Sequence, residues 1–145
     1  MYYYIVYRCI KNNQMSVKAV SCDELIAGYE FPRATYELTA LLVSKYLKAV
    51  DGAGDGFVPP MAITACAIAA ITKSFSPPAG TVVIHASQEL EFFKLVPIGA
   101  TIECHARVAQ KITRGRMSML ILELEIVDQS KEKVQSGRAT IALPS

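Results

Sequence analysis

Two aspartates, Asp51 and Asp55, lie in the segment DGAGDGF (51–57), just before an apolar run that opens with Pro59 and Pro60. A carboxylate at the mouth of a helix can hold a water molecule and accept its proton, provided a second group moves the other proton. Asp55 is the closer of the two to the run. The competing reading of both is a turn residue in a glycine-rich loop, where Asp is common. The natural second group is a histidine, and the chain has only His85 and His105, both in strand-like stretches after the apolar run. Alternation puts His85 with Ser87 and Glu89, opposite Ile84 and Leu90, and puts His105 on a polar face with Glu103 and Arg107. A hydrogen-bonded structural histidine is the competing reading of His85, and a solvated face that of His105. Glu89 and Glu91 share one strand face, an arrangement usual for carboxylates directed to solvent.

Backbone groups are a second source of chemistry. Val58, Pro59, Met61 and Ala62 lead into the apolar run, and the first amides of a helix are free donors at its positive end. Pro60 lacks an N–H, which leaves Met61 and Ala62 as donors for a carbonyl oxygen. Lys111, Arg114 and Arg116 cluster around one turn, where guanidinium and ammonium groups could meet phosphates. Solubilising charge is the competing reading.

These residues need elements to hold them. Thr39 precedes ALLVSKYLKAV, in which Leu42, Val43, Tyr46, Leu47 and Val50 recur at helical spacing. The run PPMAITACAIAAITKSF (59–75) reads as a helix, with prolines tolerated at its start and Lys73, Pro77 and Pro78 marking its end. It has no charged residue between Pro60 and Thr72, and Thr64 is its one polar side chain there. A helix without a polar face must be surrounded. Strand-like runs follow at 81–94, 101–112, 116–127 and 134–143. In the third, Leu120, Leu122, Leu124 and Ile126 oppose Glu123 and Glu125. TRGR and QSKEK read as hairpin turns of an antiparallel sheet. The sheet's apolar face is expected to curl around the apolar helix, with the remaining side covered by the other helix, by loops or by a second subunit. Edge strands need partners, so a dimer is expected. YEFPRATYEL, interrupted at Pro32, reads as an edge strand. YYYIVYR near the start has strand composition, and 22–28 reads as a turn.

Length and composition set the frame. A chain of 145 residues, 52% hydrophobic and 19% charged, is one globular domain able to bury a core. A formal charge of +2 without a basic block argues against nucleic-acid and acidic-membrane partners. The apolar run is too short to span a bilayer, and the N-terminus lacks signal-peptide features, so a cytoplasmic location is expected. Cys9, Cys22, Cys66 and Cys104 form no close pair, so neither a zinc site nor a disulfide framework is indicated.

PPMAITACAIAAI, together with GTVVIHASQELEFFKLVPIGATIECHARV, resembles the MaoC-like dehydratase/hydratase group. The resemblance rests on His85, Gln88, Glu89, Leu90, Glu91, Phe92, Pro97 and Gly99, then on SGRATI (136–141) and the helix YELTALLVSKYLKAV. It covers roughly 28–143, leaving 1–27 as an extension that could form an extra strand or arm. It implies an α+β hot-dog fold, an antiparallel sheet wrapped around a central helix. It also implies acyl thioesters of coenzyme A as substrates and no separate cofactor, coenzyme A being part of the substrate. Active members of that group carry an Asp and a His on the loop before the central helix, and helix-start amides polarise the thioester carbonyl. By that resemblance Asp55 and Asp51 are the catalytic candidates and Val58, Pro59, Met61, Ala62 and His85 the substrate-binding ones. Lys111, Arg114 and Arg116 are candidates for the coenzyme A phosphates. The loop here is short and has no histidine. The expectation is therefore a silent or weak subunit of an enoyl-CoA hydratase (3-hydroxyacyl dehydratase) assembly, as a homodimer or paired with another hot-dog subunit. The alternatives are a self-sufficient hydratase using Asp55, a hot-dog thioesterase, which the lack of an acid on the central helix disfavours, and a non-enzymatic ligand-binding module.

Overall fold

A computed structural model describes residues 19–144; the expected YYYIVYR strand lies outside them. The elements run β1 (Val20–Ser21), β2 (Ala34–Glu37), α1 (Ala40–Ala49), α2 (Pro60–Ser74), β3 (Phe75–Ser76), β4 (Ile84–Phe92), β5 (Thr101–Arg114), β6 (Met117–Asp128) and β7 (Lys133–Pro144). Strands β2-β5-β6-β7-β4 form a five-stranded antiparallel sheet, and β1 and β3 form a separate short parallel pair.

Local sequence explains most of the boundaries. Thr39 caps α1 by accepting the Leu42 amide at 3.2 Å. The β5–β6 hairpin turns at Gly115, whose φ of +59° is a left-handed conformation that glycine adopts without steric cost. The β6–β7 turn is held by Asp128, which accepts the amides of Ser130 and Glu132. As Pro32 suggests, β2 is an edge strand.

Helix α2 packs against the apolar side of the sheet. Ala62, Ile63, Cys66, Ala67 and Ala69 share one core cluster with Ile102, Cys104, Ile126 and Val134, while Ile71 joins a second with Val108, Leu120, Leu122 and Leu143. The N-terminal end of α2 thus lies over the level of Cys104, Ile126 and Gln135, and its C-terminal end over that of Val108 and Leu120. One stripe of the helix stays open. Met61 and Thr72 are exposed, and Ala65 and Ile68 are only half-buried. These positions follow the spacing of a single helix face. The sheet does not finish surrounding the apolar helix. No helix among the described residues is long and apolar enough to cross a membrane.

Candidate functional site at the start of the central helix

The loop before α2 is exposed from Asp51 to Phe57. Asp51 adopts φ +53°, and the Gly52 amide donates to the Leu47 carbonyl at 2.9 Å, closing the end of α1. Asp55 Oδ1 accepts the Phe57 amide at 3.1 Å, a local turn two residues long. Phe57 then forms an isolated bridge with Pro97, and the buried Val58 donates to the Val96 carbonyl at 2.8 Å. These contacts fix the helix entrance against the segment that follows β4. Phe92 at the end of β4 and Phe93, Leu95 and Ile98 in that segment are all exposed, which gives the entrance an apolar surround.

Pro59 is the N-cap and supplies no side-chain hydrogen bond, and Pro60 occupies the first turn without an N–H. The Ala62 amide already donates to the Pro59 carbonyl at 2.9 Å, so of the two donors expected from the sequence Ala62 is engaged. The Met61 amide is the remaining one, on a residue whose side chain is 48% exposed. Helix dipole and amide together favour an electron-rich oxygen there.

Below this turn lies a polar pair that sequence reasoning did not find. Thr64, the lone polar residue of the helix, donates to the Pro60 carbonyl at 3.3 Å and accepts Gln135 Nε2 at 2.7 Å. Thr64 and Gln135 are both 1% exposed. The available signal was a single polar residue on each of two otherwise apolar surfaces.

The histidines are elsewhere. A register shift between His85 and Ser87 leaves Ala86 as an extra residue, so His85 pairs with Ile141 and Gln88 with Ala139. His85 therefore shares the helix-facing side with Gln88 and Leu90. The expected grouping with Ser87 and Glu89 is corrected, because a bulge reverses the alternation behind it. His105 is on the outer face, paired across the ladder with Glu125, and its Nε2 contacts Glu103 at 2.5 Å. The His105 hydrogen bond, with Lys131 at 3.3 Å, holds the Glu103 carboxyl below its ordinary range. Neither histidine joins Asp55 at the helix entrance. A groove of about 780 Å³ crosses the outer face past His105, Arg107, Glu123 and Arg138. Two of its arginines are paired: Glu123 takes Arg107 at 2.6 Å and Arg138 at 3.3 Å, and the Arg107 bond first, then Arg138, lowers its pKa.

The basic cluster is divided. Lys111 donates to the Cys22 carbonyl at 2.9 Å, tying the segment after β1 to the sheet. Arg114 and Arg116 are exposed beside the hairpin turn. From Cys104, level with the start of α2, to Arg114 the strand rises about 33 Å at its usual pitch. Within one chain, these arginines and the entrance of α2 lie at opposite ends of the sheet.

A five-stranded antiparallel sheet packed on one apolar helix is the hot-dog arrangement. The chain belongs to the family described as FAS1-like, dehydratase domain region, whose profile matches residues 29–136. Solved structures agree on the fold. The (R)-hydratase PhaJ1 of Pseudomonas aeruginosa is 18% identical, with 82% of each chain covered and a TM-score of 0.70. The MaoC-like dehydratase of Rhodospirillum rubrum is 16% identical over 87% of this chain and 97% of its own, with a TM-score of 0.67. A chain of the 3R-hydroxyacyl-ACP dehydratase complex HadBC of Mycobacterium tuberculosis is 15% identical over 81% and 96%, with a TM-score of 0.66. A search of curated protein sequences finds no significant match.

Proposed function

We propose that this member of the dehydratase family binds acyl thioesters of coenzyme A at the start of α2 and serves as a silent or weak subunit of an enoyl-CoA hydratase (3-hydroxyacyl dehydratase) assembly. The observation that carries the reading is the composition of the helix entrance. It presents the Met61 amide and an apolar surround, while its one nearby acid, Asp55, is turned onto the Phe57 amide and neither histidine reaches it. A carbonyl can be polarised there, but an acid–base pair for moving two protons is not assembled.

The open stripe of α2 and the edge of β4, which pairs only with β7 among the described residues, support a second hot-dog subunit as partner. Val82, Val83, Ile84, Phe92, Phe93 and Leu95 are all exposed in or beside that edge strand. Exposed apolar side chains on a sheet edge call for cover. Two of the similar structures are themselves complexes, HadBC and ChsH1–ChsH2 of Mycobacterium tuberculosis.

The test is loss of enoyl-thioester absorbance when the purified chain meets short, medium and branched enoyl-CoA substrates. No turnover alone, together with binding of acyl-CoA, is the expected result. Turnover that disappears in Asp55→Asn would replace this reading with the self-sufficient hydratase, for which the exposed position of Asp55 ahead of α2 is the supporting observation.

A further inference from the structure

Helix α2 packs on one face of the sheet, and the other face is patterned. There the ladder register aligns side chains of β5, β6, β7 and β4, in that spatial order, into level rows. Arg107, Glu123, Arg138 and Glu89 form one row, and their charges alternate in sign from strand to strand. The next row toward the helix entrance holds His105, Glu125, Ser136 and Glu91. In the other direction the character changes. A row of Gln110, Ile121, Thr140 and Ser87 is followed by one of Ile112, Met119, Ala142 and Ile84. Neither carries a charge, and Met119 and Ile84 are 37% and 49% exposed.

This pattern complements itself under one symmetry operation. A two-fold axis parallel to the strands, between β6 and β7, sets β5 of one copy against β4 of another and β6 against β7, row against the same row. Arg107 then faces Glu89, and Glu123 faces Arg138, each twice. In the remaining rows His105 meets Glu91, Ile112 meets Ile84 and Met119 meets Ala142. Moving the axis onto β6 or β7 sets Glu123 or Arg138 against itself, and an axis along the charged row does so for every charge in it. Like charges face to face suppress those arrangements. Within its own chain Glu123 takes both arginines, while Glu89 makes no ion pair among the described residues. A second copy supplies Glu89 with an arginine. Stacked sheets lie about 10 Å apart, a gap that an Arg and a Glu side chain span together. Four strands about 4.8 Å apart and four rows about 6.7 Å apart cover about 20 Å by 27 Å, or about 1,100 Å² on two copies, which a specific interface requires.

We propose that the outer face of the sheet is a self-association surface, on which a second copy of this chain packs back to back across an axis between β6 and β7. The surface is distinct from the β4 edge, so a chain paired along that edge and on this face assembles as four copies.

Sedimentation velocity of the full chain over a concentration series tests this. The wild type is expected to associate, and Glu89→Arg to weaken that association at least about ten-fold, because both contacts with Arg107 become repulsive. Arg107→Glu is expected to do the same. Mixing the two variants is expected to restore the wild-type mass, since each mixed pair again joins opposite charges at both positions. An edge-to-edge dimer along β4 gives no such rescue, because Arg107 lies three strand spacings from that edge. Met119→Glu, on β6, reads the uncharged half and is expected to weaken association similarly, which decides even if Arg107→Glu does not fold. A monomeric wild type overturns the inference. So does wild-type association in Glu89→Arg or Met119→Glu, or a mixture that stays dissociated while circular dichroism shows both variants folded.

Discussion

Gly137 offers the sharpest test of how the sheet is built. It lies mid-β7, between Leu124 of β6 and Leu90 of β4. Its φ is not among the left-handed ones, so glycine is present here for space. A Cβ at this position would lie 2.9 Å from Leu90 Cδ2, 3.4 Å from Gln88 Nε2, and closer still to the Glu89 carbonyl oxygen. The two side-chain ends can swing aside. The carbonyl belongs to the backbone, and it can retreat only if β4 moves. Among the described residues β4 pairs with β7 alone within the sheet, so no described strand on its far side resists the displacement. Overpacking of this kind costs about 1–3 kcal/mol, and a backbone obstacle puts Gly137→Ala in the upper part of that range. For a domain of this size the melting temperature should fall by about 5–10 °C. Thermal melts followed by circular dichroism measure the loss, and amide hydrogen exchange locates it in β4. Adding Leu90→Ala should restore only part of the stability, because it removes the side-chain clash and not the carbonyl. A melting temperature within about 1 °C of wild type, with β4 protection unchanged, would refute the close strand approach.

Other outcomes follow from the same structure. Asp55→Asn should leave stability within about 0.5 kcal/mol of wild type, because the amide oxygen can still accept the Phe57 N–H, so any loss of turnover would be chemical. Burial pushes the Cys66 thiol up to about 12 and the Cys104 thiol well above its ordinary value. At pH 8 about one Cys66 in ten thousand is then thiolate, and mass-spectrometric mapping should find both cysteines unalkylated until the chain unfolds. Asp128 is held below the usual carboxylate range, chiefly by its 2.6 Å bond from Lys94, whose own pKa is raised first by the bond to Asp128 and then by that to Glu132. A lowered acid stabilises above its unfolded pKa and stops doing so as pH falls through the folded value; a raised base stabilises below its unfolded pKa and stops as pH rises through the folded one. Lys94→Met should therefore melt earlier than wild type between about pH 4 and pH 10, with the gap closing below that window. A gap that stays constant down to pH 2 would contradict the ion pair.

The sequence by itself determined the elements. Prolines 59 and 60 and the apolar run fixed the central helix, Thr39 fixed the start of α1, and the alternation of Leu120, Leu122, Leu124 and Ile126 against Glu123 and Glu125 fixed the faces of β6. Each is a local matter: backbone donors, side-chain period and turn chemistry act over a few residues. Tertiary structure decided what those signals do not carry. One inserted residue at Ala86 moved His85 to the helix side, and no period-two count could anticipate it. Strand β4 lies beside β7 and not beside its neighbours in sequence, an arrangement set by which apolar faces can close over α2. Gln135 looked like an ordinary strand residue until the fold brought it 2.7 Å from Thr64. That pairing depends on the relative placement of a helix and a strand far apart in the chain, and packing of the whole core sets it.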